Sequence, residues 1–454
     1  MMDFLGSVWW LLVSLGILVT FHEYGHYWVA RRCGVKVLRF SFGFGRAIWS
    51  RIGKDGTEFR LAMIPLGGYV KMLGERDGEE SDPAERDQSF PHKPVWQRMA
   101  IAAAGPLANF ILCLVLLWLM FVIGRPDYAP IVGQTTAIAA ETDLNYGDRI
   151  LRVDDQQTPT WSELQLALLP GALDRRDVQL TVLDSDQHER QLTLPLSQLT
   201  PGFDQRQIAR LIGLWPQFLT LPPEVGGVNP DSPAFDVLEP GDIITAIDAT
   251  PVNTFNDIGP LVQQIGDYGE TIMVEVNRDG ERLALPLRPA QMDDGNGGTR
   301  WIIGITPRTD LAPPARDTLQ RYGPLAAIPA AVREIGHQTS QIIGMLARAF
   351  SGKIALENTV AGPITIARVT NAYASQGLAW YLSILAMLSL SLGILNLLPI
   401  PILDGGQLMY YIIELVKGSP VSERAMIVGH YVGMALLAAL MGLAFRNDIL
   451  NLPH

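Results

Sequence analysis

His22, Glu23 and His26 are the residues of this chain best spaced to do chemistry together. Two histidines four positions apart stand one helical turn from each other on the same face, within reach of one ion. His-Glu-x-x-His on a helix suits zinc, and the intervening Glu23 is placed to take a proton from an attacking water. Two imidazoles leave zinc under-coordinated, because a hydrolytic site takes three protein ligands and keeps a fourth position open. With Glu23 committed to acid–base work, the third ligand has to come from elsewhere. Asp404 is the candidate, in Asn396-Leu397-Leu398-Pro399-Ile400-Pro401-Ile402-Leu403-Asp404-Gly405-Gly406, after an apolar run and two helix-breaking prolines. An Asp after such a break also serves as a helix cap, and that alternative stands beside the ligand role. The competing reading of His22 and His26, a pair of interhelical hydrogen-bonding groups, leaves Glu23 unexplained.

The elements that must carry these residues read as membrane spans. The run from Leu5 to Phe21 is almost wholly apolar, and His22 follows it directly. Ionisable side chains there are costly and mark function, so a metal site at membrane depth implies hydrolysis of something in the membrane. Four stretches reach the ~20-residue length a bilayer requires, at roughly 5–30, 99–123, 378–398 and 426–445. Basic residues set the orientation. Arg31, Arg32, Lys36, Arg39, Arg46, Arg51 and Lys54 follow the first span, and Lys417 and Arg424 lie between the third and fourth. Both of those loops are expected in the cytoplasm and both termini outside, which brings Asp404 to the depth of His22. Asp3 precedes the first span, the basic residues follow it and no small-residue cleavage site appears, so a retained span is expected rather than a signal peptide.

Between the spans the pattern changes. Phe40 to Gly45 and Phe59 to Val70 are apolar and strand-like, joined by the turn Gly53-Lys54-Asp55-Gly56. This predicts a β-hairpin dipping toward the membrane, where non-helical backbone is tolerated if it lines a protein cavity. Were the hydrolysed bond a peptide bond of a membrane helix, that helix would have to unwind first, and bare backbone groups in lipid cost several kcal/mol each. A free hairpin edge around Leu61, Ile64, Gly67, Gly68 and Tyr69 would satisfy them by strand addition. From 127 to about 309 the chain reads as aqueous β-structure with an internal repeat. Asn145-Tyr146-Gly147-Asp148-Arg149-Ile150-Leu151-Arg152-Val153-Asp154 parallels Glu239-Pro240-Gly241-Asp242-Ile243-Ile244-Thr245-Ala246-Ile247-Asp248. Each is a Gly-Asp turn, an alternating strand and an acidic turn, a pattern that resembles PDZ domains. Ile335, Ile342, Ile343 and Leu346 then mark amphipathic helices, either on the membrane surface or packed on the PDZ-like copies.

Composition agrees with a mixed protein. The chain has 454 residues, too many for one ordinary soluble domain. A mean hydropathy of +0.18 with 18% charged residues suits a few spans beside sizeable aqueous parts. The net charge of −11 argues against nucleic acid as a partner. Cys33 and Cys113 form neither a disulfide framework nor a zinc site. His92 and His337 lack ligand-like spacing, and His430 reads as an interhelical hydrogen-bonding residue of the fourth span.

His22-Glu23-Tyr24-Gly25-His26, Ala104-Gly105-Pro106-Leu107-Ala108-Asn109, the tandem PDZ-like pattern and Asn396 to Gly405 occur in this order along nearly the whole chain. In these features the chain resembles the site-2 protease family of intramembrane zinc metalloproteases. The resemblance implies that His22, His26 and Asp404 ligate zinc, that Glu23 is the catalytic acid/base and that Asn396 holds substrate near the scissile bond. Asn396 as a structural interhelical hydrogen-bonder is the alternative. Family members cut single-span membrane proteins after a first protease has trimmed the outer domain; in one branch the substrate is an anti-sigma factor, and remnant signal peptides are another class.

The expected fold is thus a polytopic α-helical membrane protein with four transmembrane helices, a membrane re-entrant β-hairpin and two tandem PDZ-like α/β domains on the extracytoplasmic side of a bacterial inner membrane. The expected boundaries are 1–30 for the zinc-motif span, 31–97 for the hairpin segment, 98–124 for the second span, and 125–221 and 222–311 for the PDZ-like copies. Amphipathic helices and linker follow at 312–376, the span with the Asp motif at 377–415, a cytoplasmic loop at 416–425 and the last span at 426–446. The lipid bilayer and the transmembrane segments of single-span proteins are the expected partners. A metal transporter with the same ligands would need further intramembrane charges, which are few. A silent PDZ scaffold would leave His22, Glu23, His26 and Asp404 without a purpose.

Overall fold

The computed structural model describes residues 2–74, 83–201, 203, 207–266, 271–293, 299–310, 314–352 and 361–450. The chain divides into two units, Met1–Arg125 with Arg321–His454, and Pro126–Gln320.

The first unit is built on helices α1 (Met2–Arg32), α2 (Val95–Ile123), α3 (Ala327–Phe350), α4 (Pro363–Ser375), α5 (Leu378–Asn396), α6 (Asp404–Lys417) and α7 (Glu423–Leu450). Among the described residues, α1, α2, α5 and α7 are the four helices long and apolar enough to cross a membrane. Leu18 of α1, Leu112, Leu116 and Met120 of α2, and Leu385 and Leu390 of α5 share one buried core. Helix α3 joins that core through Ala327, Ala330 and Ala331, and packs along α2 and α5. The amphipathic segment thus packs on the helical core, with Ile335 and Ile342 of its apolar face against it. The small alanine stripe admits close helix contact, while Ile343, one of the four apolar positions named for this segment, is exposed.

Helix α5 stops at Asn396, and Pro399 and Pro401 keep the next residues out of helix until α6 begins at Asp404. Gly405 and Gly406 press on the backbone of Leu397, Leu398 and Ile400, where a Cβ has no room. Helix α7 is mostly exposed but tied at two places, along its first half and near its C-terminus. Gly433 lies against Ile402. Near its C-terminus the buried Asp448 accepts hydrogen bonds from the Ile364 amide at 2.8 Å and the Thr365 hydroxyl, capping the first turn of α4. His430 bonds the Met426 carbonyl of its own helix at 3.2 Å instead of reaching a neighbouring one.

Strands β1 (Val37–Ile52) and β2 (Glu58–Met72) form the antiparallel hairpin between α1 and α2, but not a flat one. Each strand bends back, so Arg60 pairs with both Ser41 and Ser50, and Leu61 with both Phe42 and Trp49. Residues 40–42 pair in turn with Val70, Tyr69 and Gly68. The result is four plies in the order 49–52, 58–61, 39–42 and 68–71. Gly43, Gly45 and Gly67 make the bends possible, with φ of 86°, 90° and 134°, a region that side chains with a Cβ rarely enter. The turn is pinned to α1, because the Tyr27 hydroxyl donates to Asp55 at 2.9 Å and Arg31 pairs with the same carboxylate at 3.2 Å.

The second unit repeats one plan. Strands β3 (Arg149–Val153), β4 (Gln156–Gln157), β5 (Val178–Leu183) and β6 (Glu189–Leu194) form an antiparallel sheet in the order β4-β3-β5-β6. The helix Trp161–Asp174 packs on it around Ile150, Leu164, Leu180 and Leu194. Strands β7 (Ile243–Ile247), β8 (Thr250–Pro251), β9 (Ile272–Arg278) and β10 (Glu281–Leu287) take the matching order β8-β7-β9-β10. There the helix Phe255–Gly266 covers Ile244, Val262, Val274 and Leu287. In each Gly-Asp turn the glycine has positive φ, 89° at Gly147 and 101° at Gly241, and the buried Asp carboxylate accepts from a backbone amide three residues back. The copies part in their counter-ions. Arg190 on β6 meets Asp148, whereas Arg278 on β9 meets Asp242.

Candidate metal centre

Helix periodicity sets His22 and His26 side by side, and their Nε2 atoms lie 3.2 Å apart. Asp404, the first residue of α6, brings its Oδ2 to 3.1 Å from His22 Nε2 and its Oδ1 to 3.5 Å from His26 Nε2. The three side chains are only 10%, 11% and 17% exposed. Metal–ligand bonds of about 2.0–2.1 Å at tetrahedral angles set ligand atoms about 3.3–3.4 Å apart, so the spacing suits zinc. Asp404 Oδ2 is buried without an aligned hydrogen-bond donor despite its closeness to His22, which suits a ligand atom better than a hydrogen-bond acceptor. The capping alternative finds no support, because Leu403 occupies the cap position of α6.

Helix α2 supplies the surroundings of both imidazoles. His26 Nδ1 donates to the Ile101 carbonyl at 2.7 Å, which turns the Nε2 lone pair toward the other two side chains. His22 Nδ1 lies 3.1 Å from the amide nitrogen of Asn109, a fully buried residue. Ser389 on α5 donates to the Asn109 backbone carbonyl at 2.8 Å. Two glycines let the helices come this close. A Cβ on Gly105 would run into both imidazoles, and one on Gly25 into the Ala104 carbonyl. Glu23, one residue beyond His22, faces β2: a Cβ on Gly68 would stand 3.3 Å from its Cγ.

The model of peptidase family M50 matches residues 10–440. The chain belongs to that family. It is 49% identical over 450 residues to a candidate zinc metalloprotease of Xylella fastidiosa, covering 99% of this chain and 100% of that one. Identity is 40% over 456 residues to the regulator of sigma-E protease RseP of Escherichia coli, with 100% of both chains covered. Among solved structures, the PDZ domain of the SdrC-like protein of Listeria monocytogenes matches 18% of this chain and 84% of its own, at 25% identity and a TM-score of 0.17. This M50 peptidase is a membrane-embedded zinc metalloprotease of the site-2 type.

The remaining expected residues of the M50 chain fall into two groups. Gly68 and Tyr69 lie on the outer ply 68–71 of the hairpin sheet, which among the described residues pairs on one side only, and Gly67 forms the bend that leads into it. Tyr69 stacks on Phe44 at 6.2 Å between ring centroids, and its hydroxyl accepts from Arg39. Leu61 lies on an inner ply with both edges taken, and Ile64 stands opposite Phe44 with an exposed side chain. Asn396 ends α5, half-buried, and its side chain makes no hydrogen bond among the described residues, interhelical or otherwise. Ile101, Gly105 and Asn109 act on the site without having been singled out for it. The signal available for them was a glycine and an amide on one apolar span, the mark of close helix contact and of polar work inside a membrane.

Proposed function

We propose that His22, His26 and Asp404 hold the zinc ion of this peptidase, that Glu23 is its general base and acid, and that it cuts unwound transmembrane segments of single-span proteins. The observation that carries the reading is the meeting of Asp404 with two imidazoles nearly four hundred residues earlier in the chain, at hydrogen-bond range or just beyond. When bound there, zinc acidifies water and polarises a peptide carbonyl. Glu23 takes the proton from the attacking water and passes it to the leaving amine. His26, locked by the Ile101 carbonyl, keeps its ring in one orientation through the reaction.

The outer ply at 68–71 supports substrate entry by strand addition. It passes beside Glu23 at Gly68. An unwound segment laid along this edge regains the hydrogen bonds it lost, several kcal/mol for each group in lipid. On this reading the four plies are a re-entrant element and Asn396 offers its amide to the same segment. The basic residues after α1 favour a cytoplasmic position for the hairpin and an inner-membrane protein with periplasmic termini. The matched strand orders of the second unit support two tandem periplasmic PDZ-type domains. The names of relatives such as the Escherichia coli regulator of sigma-E protease point to an anti-sigma factor as the substrate class.

The test uses the full chain in detergent with a tagged single-span substrate. The wild-type chain cuts, and a chelator stops it. Glu23→Gln retains zinc while cleavage falls at least about 100-fold. Zinc lost together with activity in Glu23→Gln, or cleavage that survives complete removal of metal, defeats the assignment.

A further inference from the structure

We propose that Asn109 is the positioning residue that selects the metal-binding tautomer of His22, by accepting a hydrogen bond from His22 Nδ1 through its side-chain oxygen. The inference rests on the metal-centre reading above and goes beyond it to a residue on another helix. An imidazole binds a metal through one nitrogen only if that nitrogen is bare, and the other ring nitrogen then carries the proton. His26 meets this condition without ambiguity, because a backbone carbonyl can only accept. His22 has no carbonyl at its Nδ1. Its partner there is the Asn109 amide, 3.1 Å away.

An amide can serve either tautomer. With the nitrogen toward the ring it donates, the imidazole proton moves to Nε2, and the face beside Asp404 is blocked. With the oxygen toward the ring it accepts, Nδ1 keeps the proton and Nε2 is free. The two orientations occupy the same volume and are told apart by hydrogen bonding alone. The nitrogen facing His22 leaves Asn109 Oδ1 buried with no partner. A half-turn of the amide gives that oxygen the Nδ1–H donor and moves the unpartnered end to the nitrogen, so the choice between the two orientations falls to His22, whose Nε2 has to be bare beside Asp404 to bind a metal. The backbone of Asn109 is held by Ser389, so the side chain reaches the ring from a fixed anchor. A buried amide in an apolar span, with no other described partner for its oxygen, has this one polar task.

The test measures zinc affinity of the detergent-solubilised full chain by competition with a graded chelator, independently of cleavage. Asn109→Leu keeps the volume and removes the acceptor; Asn109→Asp can only accept. The expected result is a 10–100-fold weaker zinc affinity in Asn109→Leu and an affinity within a few-fold of wild type, or tighter, in Asn109→Asp. Rescue by the carboxylate separates a hydrogen-bond role from packing, which Asp fills no better than Leu. If Asn109→Leu does not accumulate, Asn109→Val is read in its place. Wild-type affinity in Asn109→Leu, or equal loss in both variants, overturns the proposal while leaving the zinc site intact. Failure of the wild-type chain to bind zinc, or unchanged binding in His22→Ala, overturns the metal-centre reading itself.

Discussion

Asp404 and Glu23 are two carboxylates close to the same pair of imidazoles, and position gives them different work. Asp404 touches both Nε2 atoms from the start of α6, whereas Glu23 sits on α1 beside the backbone of β2. A ligand must face the ion directly; a proton carrier must face the path of water and substrate. Asp404→Asn keeps the shape and removes the charge. Zinc affinity, measured by chelator competition, is expected to fall at least about 100-fold, since an uncharged amide is a poor replacement for a carboxylate in a three-ligand site. Retention of wild-type affinity would leave Asp404 a bystander. The spacing of His22, Glu23 and His26 was legible from the residues, as was the need for a distant acid. The partner of His22 Nδ1 was not, because nothing local to either residue says which helix will pass behind a ring.

At the scale of elements, the hairpin and the α1–α2 crossing decide what the site can receive. The crossing depends on Gly25 and Gly105, whose missing side chains let α2 reach the imidazoles. The hairpin presents one open ply beside Glu23 and buries the edges of the ply that carries Leu61. Gly68→Pro removes an N–H of the ply beside Glu23, and Gly68→Ala adds a Cβ there while keeping the N–H. The proline variant is expected to cut about 10-fold more slowly than the alanine variant, the worth of one good hydrogen bond, with zinc content equal in both. Equal rates would end the strand-addition reading. Alternating apolar residues and a Gly-Lys-Asp-Gly turn announced a hairpin, but its folding into four plies needed the three positive-φ glycines, whose conformations are set only once the plies pack.

At the scale of the whole molecule, an ion pair on a buried carboxylate in the second unit makes part of that unit's stability depend on pH. Burial pushes the Asp242 carboxyl up, but the Arg278 guanidinium and the Glu239 amide outweigh it and hold the group below the ordinary carboxylate range. A lowered folded pKa stabilises fully above the unfolded value, about 3.9, and the benefit drains away as the pH drops through the folded value. Arg278→Ala removes the bidentate partner. The second unit is then expected to lose about 1.5–3 kcal/mol at neutral pH, with a smaller difference from wild type below about pH 4. Hydrogen exchange of β7 and β9 against pH reads this directly. A gap that widens in acid would refute it.

Local features were enough to determine which segments are long and apolar enough to cross a membrane, where a hairpin turns and that an internal β-repeat exists, because each follows from composition, periodicity and turn chemistry within one stretch of chain. The membership of α3 in the helical core, the bending of the hairpin and the buried amide behind His22 were decided by tertiary packing alone. Each depends on how closely two backbones approach, and that distance is set by small residues on both partners at once, so no single stretch of the chain contains it.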